Sequence, residues 1–324
     1  MILLGTGLLG YPWISQYLFD NRTDSIIHTY EAVAEETDAE EKSAMLALAQ
    51  QYNSQLTQAQ VTLTDPFTKQ ESRKDGIDYH SVLALDERGM MASIEIPKIS
   101  VNLPVYHGTS GDVLESGIGH LEGSSLPIGG TGTHAVLSGH TGLNTAKMFT
   151  DLTELTQGDL FFIHVLGDTL AYEVCEIHIV VPEDTSRLLI QDGSDLVTLV
   201  TCTPYGVNTH RLLVTGKRTE YTEEIHEETV KKGSREAGSL WMQSYKKAIL
   251  IGLGIVFFFV CCLYLSDRMR RHYNRSGCQH EENKNNHRDP SGSMRRRDLC
   301  LPICEYMAFE PADKAVYPGI PGKI

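Results

Sequence analysis

Leu196–Arg218, LVTLVTCTPYGVNTHRLLVTGKR, decides how the rest of this chain is read. Two runs rich in Val, Leu and Thr flank PYGVN, a segment of turn-forming residues. The pattern predicts adjacent antiparallel strands joined by a loop, and Cys202, at the end of the first, then comes near Arg211 in the second. His210, the next-door residue, should face the other way, because side chains alternate along a strand. A thiol at a strand end is rigidly held yet opens onto a loop, which suits a nucleophile; simple packing suits such a Cys as well. A guanidinium beside it can stabilise an oxyanion or hold a substrate carbonyl.

Working outward, MASIEIPKI, VNLPVYH, THAVLSGH, DLFFIHV and LAYEVCEIHIVV are further short β-forming runs separated by Gly, Pro, Asn and Asp. Many such strands predict a mainly β domain, a sandwich or barrel, over about 76–220. Asn144–Glu154 breaks the series as a short helix. A nucleophilic thiol needs a base, and His140 stands out because it follows a strand and enters a polar loop with glycine, TGLN. His164 and His178 lie mid-strand and read as satisfied or solvent-facing. Cys175, also mid-strand, reads as a small apolar residue.

The 28 Lys+Arg and 42 Asp+Glu give a net charge of −14, which argues against a broad grip on nucleic acid. Seven Cys in 324 residues make no disulfide framework. Before the β domain, 20–60 reads as a helical preface. Met45, Leu48, Tyr52 and Leu56 form one apolar stripe, with Ile26, Tyr30 and Val33 adding earlier turns.

Ala248–Leu265 is charge-free. Its 18 residues reach roughly 27 Å as a helix, close to the hydrocarbon thickness of a bilayer. Trp241, Tyr245 and Tyr264 suit the interfaces, and Arg268, Arg270, Arg271 and Arg275 after the span favour a cytoplasmic C-terminus. Met1–Phe19 is a second charge-free stretch, read as a membrane anchor or signal-like segment. Residues 221–247 read as a linker, and 266–324 as a disordered cytoplasmic tail. Cys261 and Cys262 fill the span, and Cys278, Cys300 and Cys304 read as free thiols.

TLVTC (Thr198–Cys202) resembles the TLxTC signature of the sortases, membrane-anchored cysteine transpeptidases of Gram-positive bacteria. SGHTG (Ser138–Gly142) resembles their His motif, and Arg211 falls where their essential Arg follows the Cys. Ser93–Thr109 and Gly117–Gly130 resemble the first strands and following loop of their closed β-barrel. Thr64-Asp65-Pro66-Phe67-Thr68, inside the segment 61–75, resembles the lid of class C sortases, which polymerise pilins. The resemblance implies Cys202 as nucleophile, His140 as acid and base, and Arg211 as oxyanion partner. Asp65 would contact Arg211, and Phe67 would cover the nucleophile. It also implies pilin partners carrying LPxTG-like sorting signals, a membrane-bound catalytic domain outside the cell, and no metal or organic cofactor for the reaction. Two alternatives stand beside it: a housekeeping sortase that attaches single proteins to the cell wall, and a non-catalytic membrane-tethered β-barrel binding module.

Overall fold

A computed structural model describes residues 2–59, 63–68, 77–85, 89–143, 145–236 and 240–285. The elements run α1 (Ile2–Glu36), α2 (Ala39–Ala59), β1 (Met90–Ile96), β2 (Val101–His107), α3 (Gly111–Ser116), β3 (Ile118–His120) and β4 (Thr133–Ser138). They continue with β5 (Leu160–Val165), β6 (Asp168–Val180), β7 (Asp195–Thr203), β8 (His210–Arg218), α4 (Glu223–Glu236) and α5 (Leu240–Asn285). The strands close into a barrel in the order β1-β2-β3-β4-β7-β8-β6-β5. Closure follows from β1, which pairs antiparallel with both β2 and β5. The expected sortase-type barrel with short helices is therefore present.

Strand alternation sorts side chains between two apolar clusters. Ala135, Leu137, Val197, Leu199, Leu212 and Val214 belong to the main core. Val136, Val200 and Leu213, one residue out of phase, turn to the opposite face and form a second cluster with Leu63, Leu121 and Leu188. A strand buried on both faces needs apolar or hydrogen-bonded residues on both: beside the outer cluster, His134, Thr198 and Thr215 are buried in one hydrogen-bonded row across β4, β7 and β8.

The helical preface packs on the barrel. Asn53 of α2 accepts from the Leu126 N–H at 2.7 Å and donates to the Leu126 carbonyl at 3.2 Å. Tyr30 of α1 donates to the Met91 carbonyl and accepts from the Leu166 N–H. Tyr30, Tyr52 and Leu56 are buried as expected and Met45 packs against the core, but Ala49 is buried in place of the exposed Leu48, and Ile27 and Ala34 in place of Ile26 and Val33. A small Ala lets the helix approach closely, so size outweighs hydrophobicity at that position.

Several expected boundaries are corrected. Met1–Phe19 is not a separate segment: α1 runs unbroken from Ile2 through Pro12 into the preface. Among the described residues, one helical stretch is long and apolar enough to cross a membrane, Ile249–Arg271, with mean hydropathy 2.6. The linker expected over 221–247 is largely helical. Glu223 and Glu224 occupy the favourable first turn of α4, and Lys231 pairs with Glu227 one turn away. Helix α5 continues past the span to Asn285, so the first part of the expected disordered tail is helical; Asp267 and Arg271 pair there at i,i+4. The rest of the tail, with Cys300 and Cys304, lies outside the described residues, as do 61, 62 and 69–75 of the lid segment. In place of a helix over Asn144–Glu154, only Thr150–Glu154 forms a short 3-10 turn.

Candidate active site

Cys202 and Arg211 are direct cross-strand partners in the β7–β8 ladder, with Thr203 opposite the exposed His210. They continue the face that carries Val200 and Leu213, so thiol and guanidinium sit on the outer wall of the barrel at the strand ends, beside the second apolar cluster. Arg211 Nη1 donates to the carbonyls of Asn208 and His210, both at 3.1 Å. The loop thus orients the side chain from below.

His140 reaches the same wall from β4, which runs parallel to β7 with Ser138 beside Val200. Beyond the ladder the attachment continues: Gly139 N–H donates to the Val200 carbonyl at 3.0 Å, and Thr201 Oγ1 donates to the Gly139 carbonyl at 2.7 Å. The Phe149 N–H donates to the His140 carbonyl at 3.0 Å. A Cβ on Gly139 would lie 2.7 Å from Ile118 Cδ1 and 2.8 Å from Phe149 Cδ2, so only glycine fits. Gly142 has φ +76°, and the ring of Tyr205, from the loop after Cys202, lies over it.

Asp65 and Phe67 close the constellation. Arg211 Nε and Nη2 donate to the two Asp65 carboxylate oxygens at 2.8 and 2.7 Å, a bidentate pair. The Arg211 guanidinium lies 5.0 Å from the Phe67 ring centroid, and that ring lies 5.9 Å from His140. Phe67 packs on the outer cluster next to Leu63, whose carbonyl accepts from Thr185 Oγ1 at 3.1 Å. The Thr68 hydroxyl and N–H both donate to the Asp65 carbonyl, closing a tight turn. Five residues from four separate stretches of sequence therefore gather at the ends of β4, β7 and β8 on the outer wall.

A family model for the sortase domain matches residues 94–219. The solved structure of sortase C-1 from Actinomyces oris is 48 % identical, covering 56 % of this chain and 99 % of that one, with TM-score 0.53. The solved sortase C of Streptococcus pneumoniae, described for its catalysis and pilin substrate specificity, is 41 % identical, covering 61 % of this chain and 98 % of that one, with TM-score 0.55. The chain belongs to the sortase family. Its likeness to solved class C sortases agrees with the lid motif. Sortase D of Bacillus subtilis (strain 168) is 35 % identical over 136 residues, covering 41 % of this chain and 66 % of that protein. This sortase spans 60–66 % of the length of the curated relatives it matches.

Electrostatics around Cys202 and His140 favour their neutral forms. Burial raises the Cys202 thiol above its usual range; the Arg211 charge pulls it down, and the Asp65 charge pushes it up again. Burial lowers His140, against a small upward pull from Glu115. At neutral pH the pair is therefore thiol and imidazole, not thiolate and imidazolium. Arg211 is held protonated chiefly by its hydrogen bonds to Asp65.

Thr201, the threonine of the TLxTC pattern, ties β7 to the His140 loop, a role the motif did not disclose. Leu63 and Thr185, which had no sequence signal, join through a hydrogen bond and seat the 63–68 turn on the outer wall. Cys175 lies at a bulge in β6 and donates to the Thr215 carbonyl, a packing role as expected. His178 pairs with Glu176 on the surface, whereas His164 joins Glu95 and His226 away from β7 and β8.

Proposed function

We propose that this sortase is a cysteine transpeptidase of the pilin-polymerising kind, with Cys202, His140 and Arg211 as its catalytic residues and Asp65 and Phe67 as its lid. The observation that carries the proposal is the bidentate Asp65–Arg211 pair, which ties a mobile-type turn to the partner of the nucleophile.

Substrate entry requires the lid turn to leave, which frees the guanidinium and rehydrates the thiol. Cys202 then attacks the Thr carbonyl of an LPxTG-like sorting signal. Its proton passes to His140, Arg211 stabilises the oxyanion, and His140 returns the proton to the departing Gly amine as the Thr–Gly bond breaks. The thioester is opened by a Lys amine of another pilin subunit. His140 accepts the amine proton and restores it to the leaving thiol, so the enzyme is regenerated. Until substrate displaces it, the lid restricts access to the resting thiol.

Ile249–Arg271 serves as the membrane anchor in this reading, and the arginines from Arg268 onward place its C-terminal side in the cytoplasm, with the barrel outside. The test is incubation of the protein with purified pilin subunits carrying the sorting signal. A covalent ladder on a denaturing gel, lost in Cys202→Ala, is expected, with an acyl adduct on Cys202 by mass spectrometry. A single attachment product without a ladder would instead mark the cell-wall anchoring task, and full activity in Cys202→Ala would end the enzymatic reading.

A further inference from the structure

We propose that Glu95, His164 and His226 form a divalent transition-metal site, best suited to Zn²⁺, that fastens α4 to the barrel wall. On β1 and β5, Ser93 pairs with His164 and Glu95 with Phe162, so Glu95 and His164 are diagonal neighbours on one face. Ile94 and Ile163, the alternating residues, point into the core, which places that face on the outside. Helix α4 covers it: the His226 ring meets Phe162 edge-on at 4.7 Å, and Gly233 packs so closely on Pro97 that a Cβ would lie 2.3 Å from its carbonyl oxygen.

The donor atoms converge on one point. His226 Nε2 lies 2.8 Å and His164 Nε2 lies 3.4 Å from the same oxygen, Glu95 Oε2, and the ligand atoms of the three groups all fall within 4.8 Å of one another. Tetrahedral zinc with bonds of about 2.0–2.1 Å separates its ligands by roughly 3.3 Å, which this arrangement approaches before any adjustment. Each side chain is about one-fifth exposed, so water has access to a further coordination position.

His164 Nδ1 faces Thr169 Oγ1 at 3.0 Å, while His226 Nδ1 lies 3.9 Å from the Glu223 carboxylate, beyond hydrogen-bond reach. Without a metal, the 2.8 Å contact of His226 Nε2 with Glu95 Oε2 is a hydrogen bond that the ring donates. With the proton on Nδ1 of each ring instead, both Nε2 lone pairs and the carboxylate oxygen are available to one divalent ion at neutral pH. Two imidazoles and a carboxylate, with an outer oxygen partner on the distal nitrogen of His164, are a zinc-type donor set. In barrel order β1 lies opposite β7, and β6 separates β5 from β8, so the site faces α4 and its role is to hold that helix in place and not to react with substrate.

The test uses the full chain in detergent, stripped with chelator, exposed to Zn²⁺ and gel-filtered before metal analysis. Wild type and Cys202→Ala should retain one more equivalent of zinc than His226→Ala or Glu95→Gln. Co²⁺ should give visible d–d absorption of a nitrogen–oxygen site that both of the latter variants lose, and zinc should raise the melting temperature of wild type by several degrees but not theirs. Equal zinc content in all four proteins overturns the proposal. So does a melting temperature of wild type that follows pH alone and ignores zinc, which would make the triad a proton-linked ion cluster.

Discussion

Arg211 grips Asp65 with two parallel hydrogen bonds, at 2.8 and 2.7 Å, across 146 positions of sequence. Both side chains are nearly buried, at 11 % and 6 % exposure, and the pair lies directly beside the proposed nucleophile. In the proposed reaction this guanidinium is occupied by the lid until substrate arrives, and the consequences are measurable.

Removing the lid contacts should expose the thiol. Breaking a buried ion pair from one side costs about 3–5 kcal/mol, but here Arg211 can turn to solvent once the turn leaves. In Asp65→Ala/Phe67→Ala, labelling of Cys202 by a small thiol reagent should accelerate at least about tenfold, each factor of ten being about 1.4 kcal/mol of lid closure. An unchanged rate would refute the gating role.

The pH dependence of that labelling should move in a defined direction. Burial and the Asp65 charge both raise the Cys202 pKa, so removing the lid contacts lowers it on both counts. The rise of alkylation rate with pH in the double variant should therefore have its midpoint below that of wild type. A midpoint that stays or climbs would contradict the assignment of causes.

Arg211→Lys should fail nearly as badly as Arg211→Ala. A lysine keeps the charge but loses the planar fork that makes the bidentate contact. Transpeptidation should fall about 10²–10³-fold in both, the usual effect of one oxyanion donor. Measuring the rate of acyl adduct formation on Cys202 by mass spectrometry checks this directly.

Thr201→Val keeps shape but removes the hydroxyl that donates to the Gly139 carbonyl. Stranding that acceptor should cost about 1–3 kcal/mol of stability. Thr201 acts through the His140 loop, so kcat should fall with KM little changed, while Thr201→Ser should recover most of the activity. Loss of stability without any change in kcat would make Thr201 merely structural.

Acid should weaken the fold through His120. Fully buried, with Tyr79 Oη on Nδ1 and the Ser125 carbonyl on Nε2, it is lowered to about 4. Between the ordinary histidine value of about 6.5 and 4, the unfolded chain binds the proton and the native one does not. Stability from this group is therefore complete above about 6.5 and falls as pH drops towards 4. Urea unfolding at pH 7 and pH 5 should show the loss; equal midpoints would count against it.

Much of the site was legible in local pattern. The alternation in TLVTC and HRLLVTGKR, with PYGVN between, was enough to pair Cys202 with Arg211, because a two-strand register depends only on neighbouring residues and the loop. The D-P-F turn was visible as a motif, although its partner was known only through family likeness. The helical stripe held at Tyr30, Tyr52 and Leu56 but not at Leu48, which outranks Ala49 in hydrophobicity while close packing on the barrel selects the smaller side chain. Helix α4 was missed although its acidic first turn and its Glu227–Lys231 pair are helix signals, because so charged a segment with a glycine reads as solvated linker until its packing on Pro97 and Phe162 is seen.

Composition and periodicity were sufficient to specify strands, turns, the apolar span and the residue types able to do chemistry, since each depends on steric preferences over a few neighbouring positions. Which of those residues meet was settled by closure of the barrel, because distant strands become neighbours only when the sheet completes its circuit. Closure brought Glu95 beside His164 through the β1–β5 pairing, while packing of the 63–68 turn and of α4 on the barrel wall brought Asp65 to Arg211 and His226 to Glu95. Burial then set the protonation of thiol and imidazole, a property of surrounding atoms that no linear pattern encodes.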